Sequence, residues 1–234
     1  MIINLIEYSS KRQLIPKKLV KFAIRFQPYH NLVLSIFSAV LVTSTLATSV
    51  LISLNYLSLK EASYILCPLR KESVKGITGI HQYIFYLSKY WELFDTILQN
   101  IKGRRPPSYY FHVWHHSCYL IFCWAYCKYS VSLSYASVFV NGFVHVIMYY
   151  YYYLVSLGRS VPWKSKITRI QIVQFITGYA YFLVTLKKIY IDKQNCNGQA
   201  VLWLHAMFNF TMLMGFIRIL QRILISPVKK QKLT

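Results

Sequence analysis

A chain of 234 residues that is 56% hydrophobic and 17% aromatic exceeds the apolar share of ordinary globular domains. That composition excludes a simple water-soluble domain and points to an all-α polytopic membrane protein. Its 27 Lys and Arg against six Asp and Glu give a net charge of +21, but the basic residues fall in short segments between apolar stretches. That placement fits lipid head groups and phosphorylated soluble substrates, and it argues against a nucleic-acid partner.

In chain order, residues 1–27 mix basic and apolar side chains without the apolar core and cleavage site of a signal peptide. They are predicted to be a cytosolic or membrane-surface lead-in. Six stretches follow, at about 31–58, 78–101, 110–129, 132–154, 168–190 and 199–224, each near the roughly 20 mostly apolar residues that cross a bilayer. The loops between them are short, so one helical domain is expected. Lys and Arg of the lead-in, of the 102–109 loop, of the 155–167 loop and of the 226–234 tail then share one side, which the positive-inside rule makes cytosolic. The last five residues, Lys230 to Thr234, have the KxKxx form of a dilysine retrieval signal, which agrees with a cytosolic C-terminus. The five cysteines show no metal-type spacing and imply no disulfide framework.

The second span holds Lys89, Glu92, Asp95 and Thr96 on about a third of one helix surface. Each charge near the bilayer centre costs about 2.5–3.5 kcal/mol, so these groups face inward or pair; Lys89 and Glu92 are also spaced to form an internal i, i+3 pair. The third span carries His112, His115 and His116 inside an aromatic run, and these too share one face. In the fourth, Asn141, His145, Met148, Tyr149 and Tyr152 lie mostly on one face, while Tyr150, Tyr151 and Tyr153 read as an interfacial aromatic belt. The fifth adds Thr168, Gln171 and Gln174 at intervals of three, suited either to gluing helices together or to holding a polar substrate. His30, His81 and His205 are isolated and receive no role.

Three chemistries use such a histidine face. A di-iron desaturase or hydroxylase needs several histidine boxes, and this chain has seven histidines in all. A lipid transporter would line a passage with the inward polar groups. In acyl transfer, an uncharged imidazole attacks a thioester and passes the acyl group to a second nucleophile. An apolar surrounding favours that uncharged form.

Lys89 to Thr96 reads KxxExxDT, His112 to His116 reads HxxHH, Asn141 to Tyr149 reads NxxxHxxMY, and Thr168 to Gln174 reads TxxQxxQ. With these four motifs in this order, the chain resembles the ELO family of very-long-chain fatty acid elongases. The resemblance implies a barrel of about six transmembrane helices around a closed-ended acyl tunnel, with the family's usual first helix missing. It implies a transmembrane catalytic domain at 28–225 and a basic cytosolic tail at 226–234, in the endoplasmic reticulum membrane. The implied reaction condenses a long-chain acyl-CoA with malonyl-CoA to 3-ketoacyl-CoA, carbon dioxide and CoA, with no cofactor and no metal. His115 would be the nucleophile and His145 the base or activator, with His112 and His116 orienting the reacting groups. Asn141 and Asp95 would choose the tautomers. Lys89, Glu92, Tyr149, Gln171 and Gln174 would contact substrate, and Lys102, Arg104, Arg105, Lys164 and Lys166 would meet the CoA phosphates. Expected partners are membrane lipids, the ketoreductase, dehydratase and enoyl reductase of the elongation cycle, and a second copy in a homodimer.

Overall fold

The computed structural model describes residues 15–55, 67, 76–103, 108–129, 131 and 134–231, and these are almost entirely helical, with no β-strand among them. Six helices are present: α1 (Lys17–Asn55), α2 (Gly76–Ile101), α3 (Tyr109–Tyr129), α4 (Ser134–Ser156), α5 (Lys164–Tyr190) and α6 (Gln199–Gln231). The first begins well before the expected start of its span, so the second half of the basic lead-in is helical. Four of the six, α1, α4, α5 and α6, are long and apolar enough to cross a membrane by composition alone. α2 and α3 have 26 and 21 residues, enough for the same thickness, but they carry the charged motif and the histidines.

The helices close into a ring. α1 packs on α2, α2 on α3, α3 on α6, α6 on α5, α5 on α4 and α4 back on α1, while α2 also touches α4 across the interior. Sequence explains the tight seam between α1 and α4. Asn31, Ser35, Ser38 and Thr45 recur at helical spacing and are all buried, and small residues let membrane helices approach closely. Ser35 Oγ donates to the Val146 carbonyl at 2.9 Å, and a Cβ at Gly142 would stand 2.8 Å from Val42 Cγ2. α5 and α6 are pinned by Asn209 Nδ2 donating to the Phe175 carbonyl at 2.9 Å and by Tyr179 OH donating to the Ala206 carbonyl at 2.8 Å.

Every helix sends a side chain to the middle of the ring. Leu41, Phe85, Tyr119, Val138, Phe175, Phe208 and Met212 meet there as one apolar cluster. A second cluster of Tyr126, Val131, Phe182, Leu202 and Ala206 fills one end. α4 stops in a Schellman turn in which Gly158, at φ 78°, takes the left-handed conformation. The Arg159 N–H then reaches the Leu154 carbonyl and the Gly158 N–H reaches that of Val155. The tyrosine run of α4 splits by helical phase. Tyr149 is fully buried, Tyr150 turns outward as expected, and Tyr152, expected on the inner face, is also half exposed.

The expectation of no disulfide is corrected. Cys67 and Cys196 are joined, 129 residues apart in sequence with Cα atoms 5.0 Å apart. Such a pairing leaves no spacing signature, because two inter-helix segments meet only once the ring has closed.

Candidate active site

The inward face of α2 and the histidine face of α3 meet the middle of α4. Lys89 Nζ donates to Glu92 Oε1 at 2.6 Å and to Asn141 Oδ1 at 3.1 Å, and it lies 4.0 Å from the centroid of the Phe85 ring. The i, i+3 ion pair expected within α2 is therefore present and extends to α4. Glu92 Oε1 also faces His145 Nδ1 at 3.3 Å. A carboxylate only accepts, so the proton of His145 resides on Nδ1 and its Nε2 is left as the acceptor. His116 Nδ1 stands 3.9 Å from Glu92 Oε2, too far for a hydrogen bond.

On α3 the three imidazoles crowd together. The rings of His112 and His116 are 4.3 Å apart and those of His115 and His116 4.9 Å. Trp114, on the opposite face, is exposed. His115 lies almost parallel to Phe208 of α6, with an interplanar angle of 9° and centroids 6.3 Å apart, and it stacks on Tyr119 at 5.7 Å. It is within electrostatic reach of His112, His145, Glu92 and Lys89. The Nε2 of His112 is buried with no hydrogen-bond partner.

A narrow cavity of about 50 Å³ opens beside His115. Its walls include Asn141 of α4, Gln174 of α5, and His205, Phe208 and Asn209 of α6. His205, which received no role from sequence, lines this cavity and is hydrogen-bonded through Nδ1 to the Tyr126 hydroxyl.

The remaining candidates divide. Thr168 turns its hydroxyl back to the Lys164 carbonyl at 3.3 Å, and Gln171 reaches Met148 Sδ at 3.5 Å, so only Gln174 of that motif lines the cavity. Asp95 does not face the histidine box through a hydrogen bond. It accepts from Tyr149 OH at 2.8 Å and from His30 Nε2 at 2.9 Å. The group on the Nδ1 of His145 is Glu92, a residue expected to bind substrate. Lys164 and Lys166 are exposed at the start of α5, and Lys102 is tied to Gln27 of α1. Arg104 and Arg105 lie outside the described residues. His30 and His205 are the site-level residues that motif reading missed; for His30 a signal existed. The available signal was the polar stripe of α1 at 31, 35, 38 and 45, spaced as one helix face.

Among the described residues, no three His, Cys, Asp or Glu side chains are grouped to hold a metal ion. The Lys89 ammonium occupies the carboxylate on which His145 converges.

A helical ring with an inward histidine box, a buried Lys–Glu pair and a small cavity beside them defines a membrane-embedded histidine-site protein. The description ELO: GNS1/SUR4 family matches residues 5–232, and the chain belongs to that family. It is 30% identical over 207 residues to fatty acid elongase A of Dictyostelium discoideum, covering 88% of this chain and 73% of that one. It is 38% identical over 112 residues to fatty acid elongase 2 of Trypanosoma brucei brucei, covering 46% and 39%. With the rat very long chain fatty acid elongase 7 it shares 28% identity over 145 residues, covering 59% and 50%.

Proposed function

We propose that the chain is the condensing enzyme of a fatty acid elongation cycle, joining an acyl-CoA to malonyl-CoA. The observation that carries this reading is the cavity, because one residue from each of three separate motifs, His115, Asn141 and Gln174, lines the same small space. His115 attacks the thioester carbonyl, a C–N bond forms, the C–S bond breaks, and CoA leaves as its thiol with the proton released by the imidazole. Malonyl-CoA then loses carbon dioxide. The resulting enolate carbon attacks the acyl-imidazole, forming the new C–C bond and breaking the C–N bond, and the departing imidazole nitrogen takes up a proton from solvent to return His115 to its neutral state.

His145 serves as the base, because Glu92 takes its Nδ1–H and leaves Nε2 to accept the proton of His115 and deliver it to the departing thiolate. Lys89 balances the charge of Glu92, which keeps that carboxylate an acceptor. The acyl chain extends from His115 past Phe208 toward His205, and CoA approaches from the face bearing Lys102, Lys164 and Lys166.

That face is the cytosol in this reading. The Cys67–Cys196 disulfide joins the segments at the opposite end of the ring, and disulfides persist on the oxidising, lumenal side. The basic tail with its KxKxx ending and the basic loops fit an endoplasmic reticulum membrane protein with a cytosolic C-terminus.

The test uses purified protein in detergent micelles supplied with a ladder of acyl-CoAs and radiolabelled malonyl-CoA, with products identified by mass. Wild type yields 3-ketoacyl-CoA two carbons longer than the substrate. His115→Ala yields none while keeping the wild-type melting transition. Unchanged turnover in His115→Ala removes the nucleophile, and no elongation by wild type on any substrate removes the function.

A further inference from the structure

His30 stands outside all four motifs, yet it occupies a more constrained position than most residues within them. It is 1% exposed, deep in α1, and both of its ring nitrogens are engaged by α2. The indole Nε1–H of Trp91 donates to His30 Nδ1 at 3.2 Å. An indole nitrogen only donates, so His30 Nδ1 must be the bare nitrogen and Nε2 must carry the proton. That Nε2–H points at Asp95 Oδ1 at 2.9 Å. The other oxygen of Asp95 accepts from Tyr149 OH at 2.8 Å, and the Tyr149 ring packs edge-on against His145, with centroids 5.4 Å apart at 81°. A single line of contacts therefore runs Trp91, His30, Asp95, Tyr149, His145.

A histidine that merely filled space would be replaceable by any apolar side chain of similar volume. This one sits between an obligate donor and an obligate acceptor, so its tautomer is fixed by its surroundings and it delivers a proton to one chosen oxygen. The need for that delivery lies at Tyr149. In a low-dielectric interior a carboxylate oxygen left without a donor carries the cost of its burial and turns toward any other donor within reach, which here draws Asp95 off the Tyr149 hydroxyl and disturbs the ring that packs on His145.

We propose that His30 is a positioning residue of the condensing site, donating its Nε2–H to Asp95 so that this carboxylate is held on Tyr149, whose ring packs on His145. Without that bond Asp95 Oδ1 is left without its donor, the carboxylate shifts from the Tyr149 hydroxyl, and the Tyr149 ring loosens from His145. The inference rests on the condensation reading above. It adds a residue of α1 to a site otherwise built from α2, α3, α4, α5 and α6, so the first helix belongs to the machinery and not only to the wall.

The experiment compares His30→Gln with His30→Asn in the full chain in detergent micelles, using the acyl-CoA substrate that wild type elongates best. A Gln amide N–H takes the place of Nε2 and keeps the bond to Asp95. An Asn oxygen takes the place of Nδ1, keeps the bond from Trp91, and leaves Asp95 without its donor. His30→Asn is expected to lower kcat by about 10–100-fold, the worth of a hydrogen bond to a charged group, with the KM for acyl-CoA unchanged. His30→Gln recovers most of that loss. Equal activity in the two variants, whether both high or both low, overturns the proposal.

Should His30→Asn fail to fold, Tyr149→Phe gives an independent reading, since it removes only the hydroxyl that Asp95 holds and leaves the ring in place. A fall in kcat at unchanged KM supports the proposal, and unchanged kcat overturns it. Wild type inactive on every acyl-CoA sinks the condensation reading instead, which keeps the two failures distinct.

Discussion

Replacing Glu92 by glutamine tests the electrostatic logic of the interior. Glu92 is 3% exposed and Lys89 2%, and their Nζ–Oε1 distance is 2.6 Å. The substitution keeps the shape of the side chain and deletes the charge, leaving a buried ammonium with only neutral acceptors, the new amide oxygen and Asn141 Oδ1 at 3.1 Å, and the face of Phe85. Breaking a buried pair by removing one partner costs about 3–5 kcal/mol, because the surviving charge is stranded. For a chain of this size that is about 6–20 °C in melting temperature. The double variant Lys89→Met/Glu92→Gln removes both charges and recovers most of the lost stability, since no ion is left in the dry interior. Thermal unfolding in detergent micelles, followed by intrinsic Trp fluorescence, reads all three proteins. If Glu92→Gln melts within a degree or two of wild type, or the double variant melts lower than the single, the pair is not the buried charge balance described here.

Two further outcomes follow from packing and covalent structure. Gly142→Ala puts a methyl group 2.8 Å from Val42 Cγ2 and is expected to cost about 1–3 kcal/mol of stability. Adding Val42→Ala should restore most of it in the same melting assay, and failure to restore would show that the clash lies elsewhere. Cys67→Ser is expected to abolish the mobility difference between reduced and non-reduced gels and to lower stability by about 2–4 kcal/mol. Cys196→Ser should reproduce both effects, and the double variant should be no worse than either single one.

Most of the site could be read from residue types and their helical spacing. The charged face of α2 and the histidine face of α3 announced themselves because ionisable groups are expensive in an apolar span, so few explanations exist for several on one face. Lys89 and Glu92 were close enough in sequence for the pair to be written down directly. The partners chosen across helices were not legible. Asp95 and Glu92 are three residues apart on one helix, and either was suited to orient a histidine of the site. Only the lateral placement of α1 and α4 gives Glu92 to His145 and Asp95 to His30 and Tyr149. Thr168, Gln171 and Gln174 share a face, yet one turns to its own backbone, one meets a sulfur and one lines the cavity. The difference is a matter of depth along the helix against its neighbours, which periodicity does not report.

The sequence by itself determined that this is a helical membrane protein, which of its faces are polar, and which family it resembles, because those properties follow from transfer energies and from spacing within single helices. The tertiary structure alone decided that six helices close into a ring, that Cys67 meets Cys196, and that His30 and His205 join the interior. Each of these depends on residues 65 or more apart in sequence being brought within hydrogen-bond or bonding distance. Helix-on-helix packing sets such approaches through the combined shape of many side chains, and no local pattern encodes that sum.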